Sequence, residues 1–172
     1  ESLVIMRKKN ENDLLKVSEI NGLLIFQIAQ YRNSSFDITK IIIDGLNLPT
    51  SLKSSSNSNT RILWLGPNNW LVFSSDLDLI QKEKDQFKEE DFAITNISHS
   101  RTIIELEGDL VNEVLKKGCP LDINSFKEGD CANSVYNGIT ITIDFVSDKP
   151  NKVRISGLRS FGESLYHSIT DA

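Results

Sequence analysis

Two histidines and two cysteines are the residues of this chain best suited to nucleophilic or acid–base chemistry. A histidine beside a cysteine activates the thiol as a nucleophile, and Cys119 or Cys131 with His99 would supply such a pair. Nothing in the sequence places them together, and free cysteine usually packs as a small buried hydrophobic residue. We therefore expect both cysteines to be reduced and largely buried. With only His99 and His167 available, a histidine-rich metal site is excluded.

Common catalytic and cofactor-binding motifs do not occur in the sequence. No Gly-x-Gly-x-x-Gly follows a predicted strand, no phosphate loop is present, and neither His-Glu-x-x-His nor Gly-x-Ser-x-Gly is found. The spacing of the two cysteines matches no zinc-binding pattern. We therefore predict no catalytic residue, no cofactor-binding residue and no metal ligand in this chain.

Five further side chains have both a structural and a functional interpretation. His99 lies between two predicted strands, where a turn is favoured and the alternative is a contact with a partner or a ligand carboxylate. His167 is expected on the surface of a helix. Arg159 begins the last predicted helix, where it opposes the helix dipole, and this indicates another contact. Trp64 and Trp70 flank a predicted turn and are expected to be core anchors, with a protein interface as the alternative.

Composition and charge limit the class of protein. The chain has 172 residues, of which 39% are hydrophobic and 25% charged, so it is long enough to bury a core without disulfide bonds. A formal net charge of -5 argues against nucleic-acid binding, which requires clustered basic residues. No apolar run is long enough to cross a bilayer. No apolar segment of a signal peptide follows the first basic residues, and we expect a cytoplasmic protein.

Apolar patterning and turn residues predict the elements of the first half. Residues 1–22 are expected to form an N-terminal arm or one short helix. The remaining predictions are a strand at 23–31, a helix at 36–46 with Asp37 as N-cap, a solvated loop at 51–60, a hairpin of strands 61–65 and 70–74, a helix at 76–90 and a strand at 92–97. The resulting order, β-α-β-β-α-β, is that of a ferredoxin-like unit.

The predicted elements of the second half roughly repeat those of the first in a rearranged order. Predicted here are a strand at 102–106, a helix at 109–117 ended by Gly118, a hairpin of strands 132–135 and 139–145, a strand at 152–156 and a helix at 159–170. The sequence thus predicts an α+β protein with antiparallel sheets, built as two consecutive ferredoxin-like units at 23–98 and 99–172.

Five short segments resemble one known family in the same order along the chain. They are Leu63-Trp64-Leu65-Gly66-Pro67-Asn68-Asn69-Trp70-Leu71, Ile97-Ser98-His99-Ser100-Arg101, Lys117-Gly118-Cys119-Pro120-Leu121-Asp122, Gly129-Asp130-Cys131-Ala132 and Arg159-Ser160-Phe161. Together they are similar to the sarcosine oxidase gamma subunit family. Asn68 and Asn69 replace an acidic pair of the family pattern, and Ser100 is inserted between His99 and Arg101, which weakens any role assigned to those side chains.

The resemblance implies a fold and a function. It implies the fold of the aminomethyltransferase folate-binding domain and a non-catalytic subunit of heterotetrameric sarcosine oxidase, with alpha, beta and delta subunits as partners. Such complexes oxidatively demethylate sarcosine with oxygen to glycine and hydrogen peroxide and, with tetrahydrofolate, give methylenetetrahydrofolate. The resemblance places FAD, FMN, NAD, tetrahydrofolate and zinc on the other subunits and no cofactor on this chain.

Two other functions are compatible with parts of the pattern. A stand-alone folate-binding protein of the aminomethyltransferase superfamily, such as an iron–sulfur assembly factor, also has a Lys-Gly-Cys motif. An aromatic residue and Gly-Gln-Glu follow that cysteine there, whereas Pro120-Leu121-Asp122 follows here. A complete folate-dependent methyltransferase is about twice as long as this chain. Both alternatives are less favoured than the gamma subunit.

Overall fold

The structure, a computed structural model, describes residues 4–8 and 14–171 and divides them into two compact units. The first unit covers Gly22–Ser98, and the second covers residues 4–8, 14–21 and 99–171. The strands are β1 (Val4–Lys8), β2 (Lys16–Ile20), β3 (Leu24–Gln30), β4 (Ile42–Ile43), β5 (Leu46–Asn47), β6 (Ser54–Ser56), β7 (Thr60–Gly66), β8 (Asn69–Ser74), β9 (Phe92–Asn96), β10 (Arg101–Glu107), β11 (Cys131–Tyr136), β12 (Ile139–Asp148) and β13 (Asn151–Leu158). The helices are α1 (Leu79–Glu83), α2 (Val111–Gly118) and α3 (Gly162–Thr170).

The first unit is built on a five-stranded antiparallel sheet in the order β6-β7-β8-β3-β9. Alternate residues of β3, Leu24, Phe26 and Ile28, are buried in its core. Leu79 of α1 and Phe87 beyond it pack into the same core. The predicted strands of this unit and the hairpin β7–β8 are confirmed.

The predicted helix at 36–46 is wrong. Asp37 does cap a turn, since its carboxylate accepts a hydrogen bond from the backbone N of Thr39 at 3.0 Å, but only a 3-10 turn at Ile38–Lys40 follows. The chain then forms the small hairpin β4–β5 across Asp44 and Gly45, whose φ angles are 51° and 78°. Two successive left-handed residues end any helix and are typical of a tight hairpin turn. β-Branched isoleucines before them favour strands.

The predicted loop at 51–60 and helix at 76–90 also differ from the structure. Ser54–Ser56 is an edge strand, because pairing with β7 needs backbone groups and no apolar side chain. The helix is limited to Leu79–Glu83 and a 3-10 turn at Lys84–Gln86. Leu77, an apolar residue within the predicted helix, lies before α1 and is 59% exposed.

The second unit is built on a six-stranded antiparallel sheet in the order β1-β2-β10-β13-β12-β11. Its elements after β10 run α2, β11, β12, β13, α3, with three strands in succession. The α+β class with antiparallel sheets is confirmed. The expectation of an arm or helix before residue 22 is wrong for Val4–Lys8 and Lys16–Ile20, which pair as strands because β10 offers β2 a long-range partner.

Local turn chemistry in the second unit is only partly as predicted. The hairpin β11–β12 is confirmed, and its turn residues Asn137 and Gly138 have φ angles of 47° and 84°. Gly118 was expected to follow α2 but is its last residue. A Cβ atom there would lie 2.7 Å from the ring of the fully buried Tyr136, so close packing is the reason for glycine. The last helix begins at Gly162, after a 3-10 turn at Arg159–Phe161.

Candidate functional site

Two of the segments singled out in the sequence meet in the second unit. The antiparallel pairing of β10 with β13 places Arg101 opposite Leu158, so the loop before β10 lies beside the turn after β13. The backbone N of Arg159 donates to the carbonyl of Ser100 at 2.8 Å, and Nε of Arg159 donates to the carbonyl of His99 at 3.0 Å. These contacts account for an arginine at a position that the helix dipole disfavours.

A cleft of about 280 Å³ lies next to Arg159. Its lining residues are Glu19, Thr102, Ile104, Arg159, Gly162, Glu163 and Tyr166. Inside it, the hydroxyl of Thr102 donates to a Glu19 carboxylate oxygen at 3.4 Å. On the rim, Glu163 lies 3.8 Å from Nε2 of His167. The two carboxylates therefore have neighbours of their own within the unit.

The residues around Arg159 form an exposed surface that includes large apolar side chains. Leu158 is 47% exposed and Phe161 is 48% exposed, and Arg159, Ser160, His99 and Ser100 are exposed as well. We call these six residues, together with the adjoining cleft, the Arg159 surface. Exposed aromatic and aliphatic side chains beside an arginine are typical of protein-binding surfaces.

Arg101 differs from Arg159 in its surroundings. Its side chain is half-buried, and burial lowers the pKa of its guanidinium from the ordinary value. No ion pair joins it to a carboxylate within residues 4–8 and 14–171. An arginine remains charged at neutral pH despite such a shift.

The cysteines and His99 are not brought together as a nucleophilic pair. Cys119 is 6% exposed and its Sγ lies 3.3 Å from the hydroxyl of Ser134, whereas His99 is exposed. Cys131 is fully buried on β11. The prediction that both cysteines are free and largely buried is confirmed.

Burial of both thiols has a measurable consequence. A thiol reagent reaches Cys119 or Cys131 only after the chain has opened locally. We therefore expect labelling of the native chain to be at least about tenfold slower than labelling in denaturant. Mass spectrometry after timed quenching measures both rates. Equal rates would contradict the burial of the two side chains, and a fast reaction confined to Cys119 would indicate an activated thiolate.

The two tryptophans lie opposite each other at the end of the hairpin β7–β8 in the first unit. Trp70 is 2% exposed and its Nε1 donates to the carbonyl of Pro49 at 2.9 Å, which confirms it as a core anchor. Trp64 is half-buried. A groove of about 330 Å³ beside them is lined by Ile38, Thr39, Leu48, Pro49, Thr50, Ser51, Trp64, Asn68 and Trp70.

Metal-ligating clusters and membrane-spanning helices are both absent from the described part of the chain. In residues 4–8 and 14–171, no three side chains among His, Cys, Asp and Glu are grouped so that they could hold a metal ion. Over the same residues, none of the helices combines the length and the apolar character needed to cross a bilayer.

Comparison with known proteins identifies the family. A model of the sarcosine oxidase gamma subunit family matches residues 32–172. The chain belongs to this family. The sarcosine oxidase subunit gamma of Corynebacterium sp. strain U-96 is 28% identical over 134 residues, which are 74% of this chain and 64% of that protein. The subunit gamma of Corynebacterium sp. strain P-1 is 28% identical over 81 residues, 46% of this chain and 40% of that protein. The matched segments thus span less than two thirds of either relative.

Solved structures share the fold. A chain of the heterotetrameric sarcosine oxidase from Corynebacterium sp. U-96, in complex with pyrrole 2-carboxylate, superposes with a TM-score of 0.79 at 22% identity, covering 91% of this chain and 82% of that one. The glycine cleavage system aminomethyltransferase T from Bartonella henselae superposes with a TM-score of 0.64 at 10% identity, covering 88% and 44%. These likenesses confirm the predicted fold class, including its similarity in fold to an aminomethyltransferase.

Sequence reasoning singled out the segments that contain His99, Ser100 and Arg159 to Phe161, but it missed Leu158 and the adjoining cleft. Leu158 was placed just beyond a predicted strand and Glu19 in a predicted arm. The residues next to Leu158 and Glu19 do not predict these positions, because exposure at a strand end and the lining of a cleft depend on which strands pair.

Proposed function

We propose that the chain is the gamma subunit of a heterotetrameric sarcosine oxidase and acts as a non-catalytic structural subunit beside alpha, beta and delta subunits. The observation that carries this proposal is the family match over residues 32–172. The likeness in fold over 91% of the chain to a chain of a heterotetrameric sarcosine oxidase supports it. So does the exposed Arg159 surface, which offers an arginine and apolar side chains to a neighbour.

In this proposal the chain contributes structure to a complex whose chemistry lies elsewhere. The complex oxidatively demethylates sarcosine to glycine, and FAD, FMN, NAD, tetrahydrofolate and zinc bind to the other subunits. The chain stabilises that assembly by burying part of its own surface against a larger subunit. Its place of action is the cytoplasm.

Coexpression tests the proposal. The tagged chain, produced together with the alpha, beta and delta subunits from the same source, is expected to elute with them from size-exclusion chromatography in equal amounts and with flavin absorbance. A tagged α+β protein of similar size from another family serves as the control for nonspecific capture. Separate elution of the chain from a fully assembled and active complex would contradict the proposal.

Titration of the isolated chain with tetrahydrofolate separates this proposal from the folate-binding alternative. A structural subunit is expected to show no heat of binding in a calorimeter beyond the heat of dilution. Binding in the micromolar range would instead favour a stand-alone folate-binding protein of the aminomethyltransferase superfamily.

A further inference from the structure

We infer that the Arg159 surface is the docking site for an acidic segment of a partner subunit, in which a carboxylate flanked by apolar side chains binds Arg159. This inference rests on the proposed function and adds to it the surface used and the chemistry of the partner. It is carried by the hydrogen bond that holds one guanidinium and by the exposed apolar residues Leu158 and Phe161, which flank Arg159 in the sequence.

The Arg159 guanidinium is held in place but keeps donors free. Its Nε donates to the carbonyl of His99 at 3.0 Å, and its backbone N is fixed by Ser100. This use of Nε leaves the two terminal nitrogens, which form no hydrogen bond or ion pair with any residue of 4–8 and 14–171. A guanidinium held in this way binds a carboxylate with two parallel hydrogen bonds at a small cost in side-chain entropy.

The carboxylates of the adjoining cleft do not neutralise Arg159. Glu19 accepts the hydroxyl hydrogen bond of Thr102, and Glu163 faces His167 with a side chain that is 91% exposed. Neither glutamate forms an ion pair with Arg159. The terminal nitrogens of Arg159 are therefore available to a carboxylate from outside the described residues of this chain.

The exposed apolar residues that flank Arg159 in the sequence favour a protein segment as the occupant. Leu158 and Phe161 are each nearly half exposed. A small carboxylate bound to Arg159 alone would leave both in water, whereas a partner segment covers them and removes water from the ion pair. Arginine and aromatic residues are both enriched at protein interfaces. The cleft also contains Glu19 and Glu163, so it is the Arg159 guanidinium alone, and not the net charge of the surface, that orients an acidic partner.

The test measures association of purified chain variants with an immobilised complex of alpha, beta and delta subunits. We expect Arg159→Glu to weaken binding at least about tenfold and Phe161→Ser about fivefold, as for residues at the centre of an interface. Arg159→Lys retains the charge and loses the planar donors, so it should lie between wild type and Arg159→Glu. Arg32→Glu is the matched control, because Arg32 is an exposed arginine of the first unit. It should change binding less than about twofold.

The outcomes separate this inference from the proposed function. If the wild-type chain does not bind the other subunits, the proposed function is wrong. If wild type binds and both Arg159→Glu and Phe161→Ser bind as tightly as Arg32→Glu, the docking site is wrong and the proposed function stands. Loss of sarcosine binding, or of self-association, by the isolated chain on Arg159→Glu would assign the surface to a small carboxylate or a second copy and overturn the inference. Circular dichroism melting verifies that each variant is folded.

Discussion

The substitution Gly108→Ala should destabilise the chain by about 3 kcal/mol or more, because a steric overlap adds to backbone strain. Gly108 follows β10 with a φ of 130°, a conformation that only glycine adopts without strain. A Cβ atom there would overlap the backbone carbonyl of Leu14. That carbonyl cannot move freely, since it accepts a hydrogen bond from the backbone N of Leu110 at 3.1 Å. Urea denaturation followed by circular dichroism measures the loss.

Gly129→Ala is the matched control for this prediction. Gly129 also has a positive φ, 92°. A Cβ atom there would have no heavy atom of the described residues within 4 Å, apart from those of its own chain neighbours. This variant carries the backbone strain without the overlap, and we expect it to cost about 1 kcal/mol. Equal losses for Gly108→Ala and Gly129→Ala would show that the carbonyl of Leu14 is not the reason for glycine at position 108.

Replacing Arg154 with methionine should destabilise the chain by about 2–4 kcal/mol, because it leaves a largely buried carboxylate without its cation. Nε of Arg154 donates to Glu105 at 2.9 Å, and the Glu105 side chain is only 14% exposed. Asp144, which is 3% exposed, lies opposite Arg154 on the other neighbouring strand. The arginine thus lies between two acidic residues in the centre of the second sheet. Urea denaturation measures the difference from wild type.

Lys152→Met is the control for this effect. Lys152 pairs with Glu107 at 3.5 Å on the same two strands, but both side chains are about twice as exposed as Glu105, at 30% and 28%. Solvent screens that pair, so its loss should cost less than about 1 kcal/mol. A double variant, Arg154→Met with Glu105→Leu, should regain part of the lost stability. A loss for Arg154→Met no larger than that for Lys152→Met would contradict the argument.

The parts of the fold that follow from neighbouring residues were predictable. The hairpins β7–β8 and β11–β12 were identified from turn residues such as Asn137 and Gly138, whose left-handed conformations the structure confirms. The family was identified from short segments, which the family match over residues 32–172 confirms. Asp37 was correctly assigned as a cap, but the length of the helix after it was not.

One failure lies where a distant part of the chain decides the local structure, and a second lies where a local turn was overlooked. β2 is polar and short, and it is a strand because it pairs with β10, more than eighty positions later. The helix expected after Asp37 is replaced by a hairpin whose Asp44 and Gly45 turn was not recognised as a competing signal. Long-range pairing thus decided the structure of β2, whereas a local turn preference outweighed helical periodicity in residues 36–46.

The candidate site also combines features that the sequence predicts with features that only the tertiary structure decides. The sequence by itself determined the α+β class, the turns, the family, a turn at His99 and a further contact for Arg159. Only the tertiary structure decided that these two meet, through the pairing of β10 with β13, and that Leu158 and Phe161 stand exposed beside them. The physical reason is the sequence separation over which each interaction acts. Turn preferences act over a few neighbouring residues, whereas a contact across 60 positions depends on the register of two strands.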